Sequence, residues 1–260
     1  MRNAIAIAKK ELYLYFTTPI AYVVFFATSF IGAFFFLSFT SEFQRRSLQF
    51  MQFQAPEMLE RMNLTDMIAT PLVLNMGVIL IFVVPFLTMR LLAEERRQKT
   101  MELLMTAPVR SGEIVLGKYL AALGVLLVVI GIVAVFPALL DTYGSGGGVE
   151  WQTVAAALAG LFLCGAGFVA VGLFVSALTE SQVVAALITF LVLLLTWIVG
   201  WKAADADGVW HDVMTHLSSV QHLLSFSRGI VELQDLVYFV SLAVIGLFLT
   251  HRAVEARRWA

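Results

Sequence analysis

Hydrophobic residues in this chain come in long runs broken by short charged stretches. Measured from one charged residue to the next, the uncharged intervals fall at 12–41, 67–89, 119–140, 151–179, 181–201 and 236–251. A helix crosses the hydrocarbon layer in roughly 20 residues, range about 17–25. The first five intervals reach that length. The sixth holds only 16 residues and needs Glu232, Asp235 or Arg252 to snorkel from its ends. The pattern predicts an all-α polytopic membrane protein of one domain over 1–260, with six transmembrane helices and both termini on one side. Pro19 marks the start of the first span.

Shorter patterns refine this picture. Ile5, Ala8, Leu12 and Phe16 repeat at helical spacing beside Lys9 and Lys10, before the breaker Thr17-Thr18-Pro19. They predict an N-terminal interfacial helix lying on membrane lipid, with a plain extension of the first span as the alternative. In the fourth interval Ala156, Gly160, Cys164, Gly172 and Ser176 form a row of small residues that lets helices approach closely, with Cys164 as a packing residue. Residues 141–150 read as a glycine-rich connector. The longer stretch 202–235 is half apolar, and Val213, Leu217, Val220 and Leu224 have helical spacing. It predicts short helices that dip back into the outer leaflet or lie on it; non-helical backbone at that depth has to be covered.

Composition agrees: 60% of residues are apolar and 13% charged, against about a quarter charged in soluble domains. Nucleic-acid binding is excluded, since no basic patch is interleaved with aromatics. The lone Cys164 forbids an internal disulfide. Lys9, Lys10 and Glu11 interrupt any signal-peptide pattern. Of the 17 Lys and Arg, twelve fall on the side of the termini and the 90–118 loop and five on the other. The positive-inside rule then makes both termini and that loop cytoplasmic.

Candidate chemistry is sparse. The uncharged intervals hold no Asp, Glu, Lys or Arg to carry a coupling ion, which argues against self-powered secondary transport and against paired intramembrane aspartates. Gly112–Tyr119 imitates a P-loop but has Tyr119 where Ser or Thr must ligate magnesium, so Ser111 reads as a helix cap and Lys118 as a lipid–water boundary marker. His211, His216 and His222 lack metal-ligand spacing and read as solvated or interfacial. Asn63-Leu64-Thr65 is a formal glycosylation sequon that matters only in a eukaryotic secretory setting.

Specificity rises in the 90–118 loop, which carries six Lys and Arg together with Glu94, Glu95, Glu102 and Glu113. Met89 to Arg97 prolongs the second span. Thr100 caps a short new helix, Glu102 faces its positive end, Leu103, Leu104 and Met105 give one apolar edge, and Pro108 ends it. Such a transverse helix between two spans fits a groove on a soluble partner and passes its displacement to both. An ordinary positive-inside loop would explain the Arg and Lys but not this order of residues.

The run Glu94-Glu95-Arg96, Thr100-Met101-Glu102-Leu103-Leu104, Pro108-Val109 and Glu113-Ile114-Val115-Leu116-Gly117-Lys118 resembles the permease subunits of type-2 ABC exporters. Pro85-Phe86-Leu87-Thr88-Met89-Arg90 is similar to their gliding-motility-type branch, and more distantly to the multi-copper-enzyme-maturation branch. Pro19-Ile20-Ala21-Tyr22 and Leu178-Thr179-Glu180-Ser181-Gln182 also match in place. One departure is clear: the family usually has Gly where this chain has Lys99. The resemblance implies two membrane subunits, alike or different, and two separate cytoplasmic ATPases that bind the ATP and Mg, so that this chain carries no cofactor and hydrolyses nothing. It implies that Glu94, Glu95, Arg96, Thr100, Glu102, Leu103, Leu104 and Pro108 dock the ATPase, that the helix with Ile5, Lys9, Lys10 and Leu12 lies against them, and that 202–235 caps the path as re-entrant helices. The location implied is a bacterial inner membrane. The alternatives are a non-transporting membrane anchor for a cytoplasmic partner, and an intramembrane enzyme, for which only the outer histidines offer groups.

Overall fold

The computed structural model describes residues 2–53, 62–100, 109–144, 148–203 and 208–256. Every helix or strand among them is helical: α1 Arg2–Thr17, α2 Pro19–Gln52, α3 Thr70–Thr88 entered through a π turn at Thr65–Ala69, α4 Ala93–Arg97, α5 Ser111–Tyr143, α6 Trp151–Leu178, α7 Gln182–Ala203, α8 Val209–Leu217, α9 Ser219–Ser227 and α10 Leu233–Ala256. Six of the described helices are long and apolar enough to cross a membrane, and they fall where the uncharged intervals predict. α2 and α5, with 34 and 33 residues, are about 50 Å long at 1.5 Å per residue and overreach a hydrocarbon layer of about 30 Å. The excess in α2 is its polar end, where Arg45 and Arg46 both pair with Glu42 at 2.7 Å.

α1 is a helix of its own. Thr18 adopts extended backbone (φ −99, ψ 149) and Pro19 opens the next helix. The hydroxyls of Thr17 and Thr18 donate back to the last carbonyls of α1. Its packed face is Ala4, Ala8, Glu11 and Tyr15, rotated from the predicted stripe: Ile5 and Phe16 are exposed, as are Lys9 and Lys10, while Leu12 is partly buried. A glycine decides this rotation, because a Cβ at Gly117 of α5 would lie 2.8 Å from the Ala4 carbonyl oxygen. Only that bare backbone lets α1 lie so close.

α6 is the central element. The most apolar stretch of α6 is 67% buried and that of the α3 segment 61%, against 22% for α2 and α10. The row of small residues is the reason: Gly160 lies under the Phe226 side chain of α9, Gly172 under Thr88 of α3, and Cys164 is fully buried. α10 crosses α6 where Gly246 faces the backbone of Ala170.

The stretch after α7 forms two helices. α9 tucks into the bundle, burying His222, Leu223 and Phe226, and the Thr70 hydroxyl of α3 donates to the Ser227 carbonyl at 3.0 Å. α8 leaves Val209, Trp210, Val213 and Leu217 exposed. Three readings change here. Of the charges at the ends of the sixth span, Asp235 does not snorkel: α10 starts at Leu233 and Asp235 is buried inside it, while Arg252 near the other end is exposed. His222 is buried, not solvated. α5 begins at Ser111 with Arg110 as the capping residue, because the Glu113 carboxylate accepts the Arg110 N–H at 3.3 Å.

At Gly246 a Cβ would sit 2.8 Å from the Ala170 carbonyl carbon, whereas at Gly131 nothing lies within 4 Å. Gly246→Ala should therefore cost about 1–3 kcal/mol through overpacking. Gly131→Ala should be neutral or stabilise by about 1 kcal/mol. Thermal unfolding of the detergent-solubilised variants checks the contrast.

Candidate functional site

At the end of the bundle where α3 finishes, three charged side chains meet inside the protein. Lys118, in the second turn of α5, is 1% exposed. Its ammonium lies 3.0 Å from Oε1 of Glu11 on α1 and 2.8 Å from Oε1 of Glu95 on α4. One cation thus ties three elements that are distant in sequence. The second oxygen of Glu95 is buried without a hydrogen-bond partner, so this carboxylate depends on Lys118. Lys118 therefore does not mark a lipid–water boundary: two acids meet it before its stem can lead the charge to water.

The chain between α3 and α4 is held by polar groups around this triad. α3 stops at Thr88, and the freed amide groups of Leu92 and Ala93 donate to the Ser176 hydroxyl at 3.1 Å each, while that hydroxyl donates to the Met89 carbonyl at 3.1 Å. A helix start leaves such amides without partners in its own backbone, and Ser176 of α6 supplies one. The Arg96 guanidinium donates to the Ala177 carbonyl at 2.9 Å and pairs with Glu180 at 3.1 Å, fastening α4 to the turn between α6 and α7. On the other side Arg90 lies over the Tyr15 ring, 4.4 Å from its centroid, and donates to the Thr18 hydroxyl at 2.8 Å. The Tyr15 hydroxyl donates to the Leu87 carbonyl. Burial pushes the Tyr15 phenol up, and the Arg90 charge offsets only part of this, so the hydroxyl keeps its proton and remains a donor.

Of the residues predicted to dock a partner, Glu94, Glu95 and Thr100 line one cavity, whereas Arg96 turns to Ala177 and Glu180. Glu94 accepts from Gln98 at 3.2 Å, and the Thr100 hydroxyl donates to the Glu95 carbonyl at 3.3 Å. Glu102, Leu103, Leu104 and Pro108, and with them the predicted transverse helix, lie outside the described residues. A cavity of about 400 Å³ opens beside the triad, lined by Lys10, Glu11, Arg90, Glu94, Glu95 and Lys118 among others. Sequence reasoning missed Glu11, Tyr15, Lys118 and Ser176 as parts of this site. A signal existed: Glu11 and Lys118 are opposite charges, each the last before a long apolar run.

Lys99 now has an explanation. It is the one non-glycine residue with positive φ among those described, at 56°. It follows Gln98, the capping residue at the end of α4, and its amide donates to the Arg96 carbonyl at 3.1 Å. That is the left-handed closing position where helices favour Gly. The turn survives the departure from the family pattern, with lysine bearing the steric cost. Among the described residues no group of three His, Cys, Asp or Glu is placed to hold a metal.

The molecule is a multi-pass membrane protein whose buried charges sit at the ends of an apolar helical bundle. The family model described as ABC-2 family transporter protein matches residues 5–248. The chain belongs to that family, and it is an ABC transporter permease. No curated protein matches it.

Lys118→Met would leave Glu95 without its cation and Glu11 with Lys10 alone at 4.0 Å, and should cost about 3 kcal/mol. Glu11→Gln should cost less, because Glu95 keeps its partner. Thermal unfolding of the two variants and of their double mutant measures the coupling. Lys99→Gly should stabilise by about 1 kcal/mol in the same assay.

Proposed function

We propose that the chain is the membrane half of an ATP-driven exporter, and that a separate cytoplasmic ATPase, holding the ATP and Mg, docks on the segment from Glu94 to Pro108. The one observation that carries this reading is the way residues 90–100 are fastened. Lys118 ties Glu95 to α1 and α5, Arg90 binds α1, and Arg96 and Ser176 bind the end of α6. A push on this segment reaches α1, α5 and α6 together, since every joint is a buried or charge-assisted contact. A loop serving only membrane orientation would need none of these joints.

On this reading the termini and the 90–118 stretch face the cytoplasm of a bacterial inner membrane, in keeping with the bias of Lys and Arg. α1 lies at the membrane surface with Lys9 and Lys10 toward the headgroups. The whole chain is one permease domain, two membrane subunits pair to form the path, and nucleotide chemistry stays with the partner. The run Pro85–Arg90 favours the gliding-motility-type branch of the family.

Co-expression with the cognate ATPase tests the docking. The pair should co-purify, the permease alone should show no ATP hydrolysis, and Glu102→Arg or Leu104→Arg should abolish co-purification while leaving the permease folded. Undiminished binding by both variants would refute the assignment of the segment.

A further inference from the structure

α2 and α5 both run away from the docking segment, and at their far ends a cavity of about 610 Å³ opens between them. Its floor is apolar and firmly held. Leu64, Ile68 and Leu140 belong to a small buried cluster, and Phe36 and Phe43 of α2 pack against it. Leu64 and Ile68 stand at the π turn that leads into α3, a kind of turn that recurs at functional sites. Polar contacts pin this turn. The Thr65 hydroxyl accepts the Glu150 N–H at 2.9 Å, and the Asn63 amide donates to the Glu150 carboxylate at 2.9 Å. A volume of this size suits a drug-sized ligand.

The walls differ from the floor. Glu42 and Asp141 are the first charges after the apolar runs of α2 and α5, so they mark the level of the lipid–water boundary. The cavity spans that level: Phe36 and Leu139 lie on its apolar side, and Gln44, Ser47 and Tyr143 on its polar side. The side chains of Gln44, Ser47 and Tyr143 make no hydrogen bond to any other described residue. The nearby charges are engaged elsewhere. Glu42 holds Arg45 and Arg46, and Asp141 accepts from the Val149 amide and the Trp151 indole at 3.1 Å each. No described residue that lines the cavity is charged. An ionised head would lose water here without gaining a counter-charge, whereas a hydroxyl-bearing head exchanges water for an amide and two hydroxyls.

We propose that this cavity binds a neutral amphiphile, with its apolar tail on Phe36, Ile68 and Leu140 and a hydroxyl-bearing head at Gln44, Ser47 and Tyr143. The site is built from one chain and shares no residue with the docking segment. It is tested on the permease without any ATPase, and failure of the docking assignment leaves it standing.

Octyl glucoside with a photoreactive diazirine in its chain serves as the probe, below its micelle-forming concentration, on the permease in nanodiscs of zwitterionic lipid. Irradiation and peptide mapping should place the label at 36–47, 62–68 and 139–144. Unlabelled octyl glucoside should displace it, and octyl sulfate should need roughly tenfold more or beyond. Glucose alone should not displace it. Gln44→Leu combined with Ser47→Ala should raise the half-displacing concentration of octyl glucoside about tenfold, with thermal unfolding unchanged. Leu139→Trp narrows the cavity and should reduce labelling, and it is the deciding arm if the double variant does not fold. Equal displacement by octyl sulfate, displacement by glucose alone, labelling spread evenly along the lipid-facing helices, or a folded variant that behaves like the unaltered protein would each overturn the proposal.

Discussion

The sharing of one ammonium by two carboxylates is the constraint on which the rest of this molecule turns. Lys118 is drawn out of water by Glu11 and Glu95, and such a group is tolerated inside a protein only when its partners stay in place. The three elements that supply the charges therefore keep a fixed relation. α1 cannot leave α5 without stranding Glu11, and α4 cannot leave without stranding Glu95. The remaining contacts, Arg90 at Thr18 and Arg96 at Ala177 and Glu180, extend the same constraint to the start of α2 and the end of α6.

Packing supplies the other half. Helices in lipid gain little from burying apolar surface against each other, so close approach has to come from small residues. α6 does this along its length with Gly160, Cys164, Gly167 and Gly172, and it is the helix on which α3, α9 and α10 assemble. Stiffness along α6 connects the end held by Ser176 with the end covered by α9. Lys118 with its two acids and the buried pair of His222 and Asp235, 2.6 Å apart, thus sit at opposite ends of one well-packed core.

Much of this was legible in the sequence, and what was missed has a common cause. Long uncharged runs locate the spans because the bilayer demands them, and the row of small residues in α6 was readable for the same reason. The break at Thr17-Thr18-Pro19 correctly separated α1 from α2. Lys118, Asp235 and His222 were misplaced because a charge at the edge of an apolar run looks the same in sequence whether it reaches water or meets a counter-charge from another helix. Glu11 and Glu95 are 84 positions apart, and only the fold brings them to one cation. Lys99 shows the reverse case: its departure from the family's glycine was visible at once, but its left-handed backbone was not.

In the proposed mechanism a partner's force enters at residues 94–108 and spreads through Lys118. Hydrogen–deuterium exchange on the permease, alone and with the cognate ATPase bound, tests it most directly. New protection across 94–108 is expected, accompanied by altered exchange around Glu11 to Tyr15 of α1 and at the start of α5. Protection confined to other surfaces, with 94–108 unchanged, would contradict it.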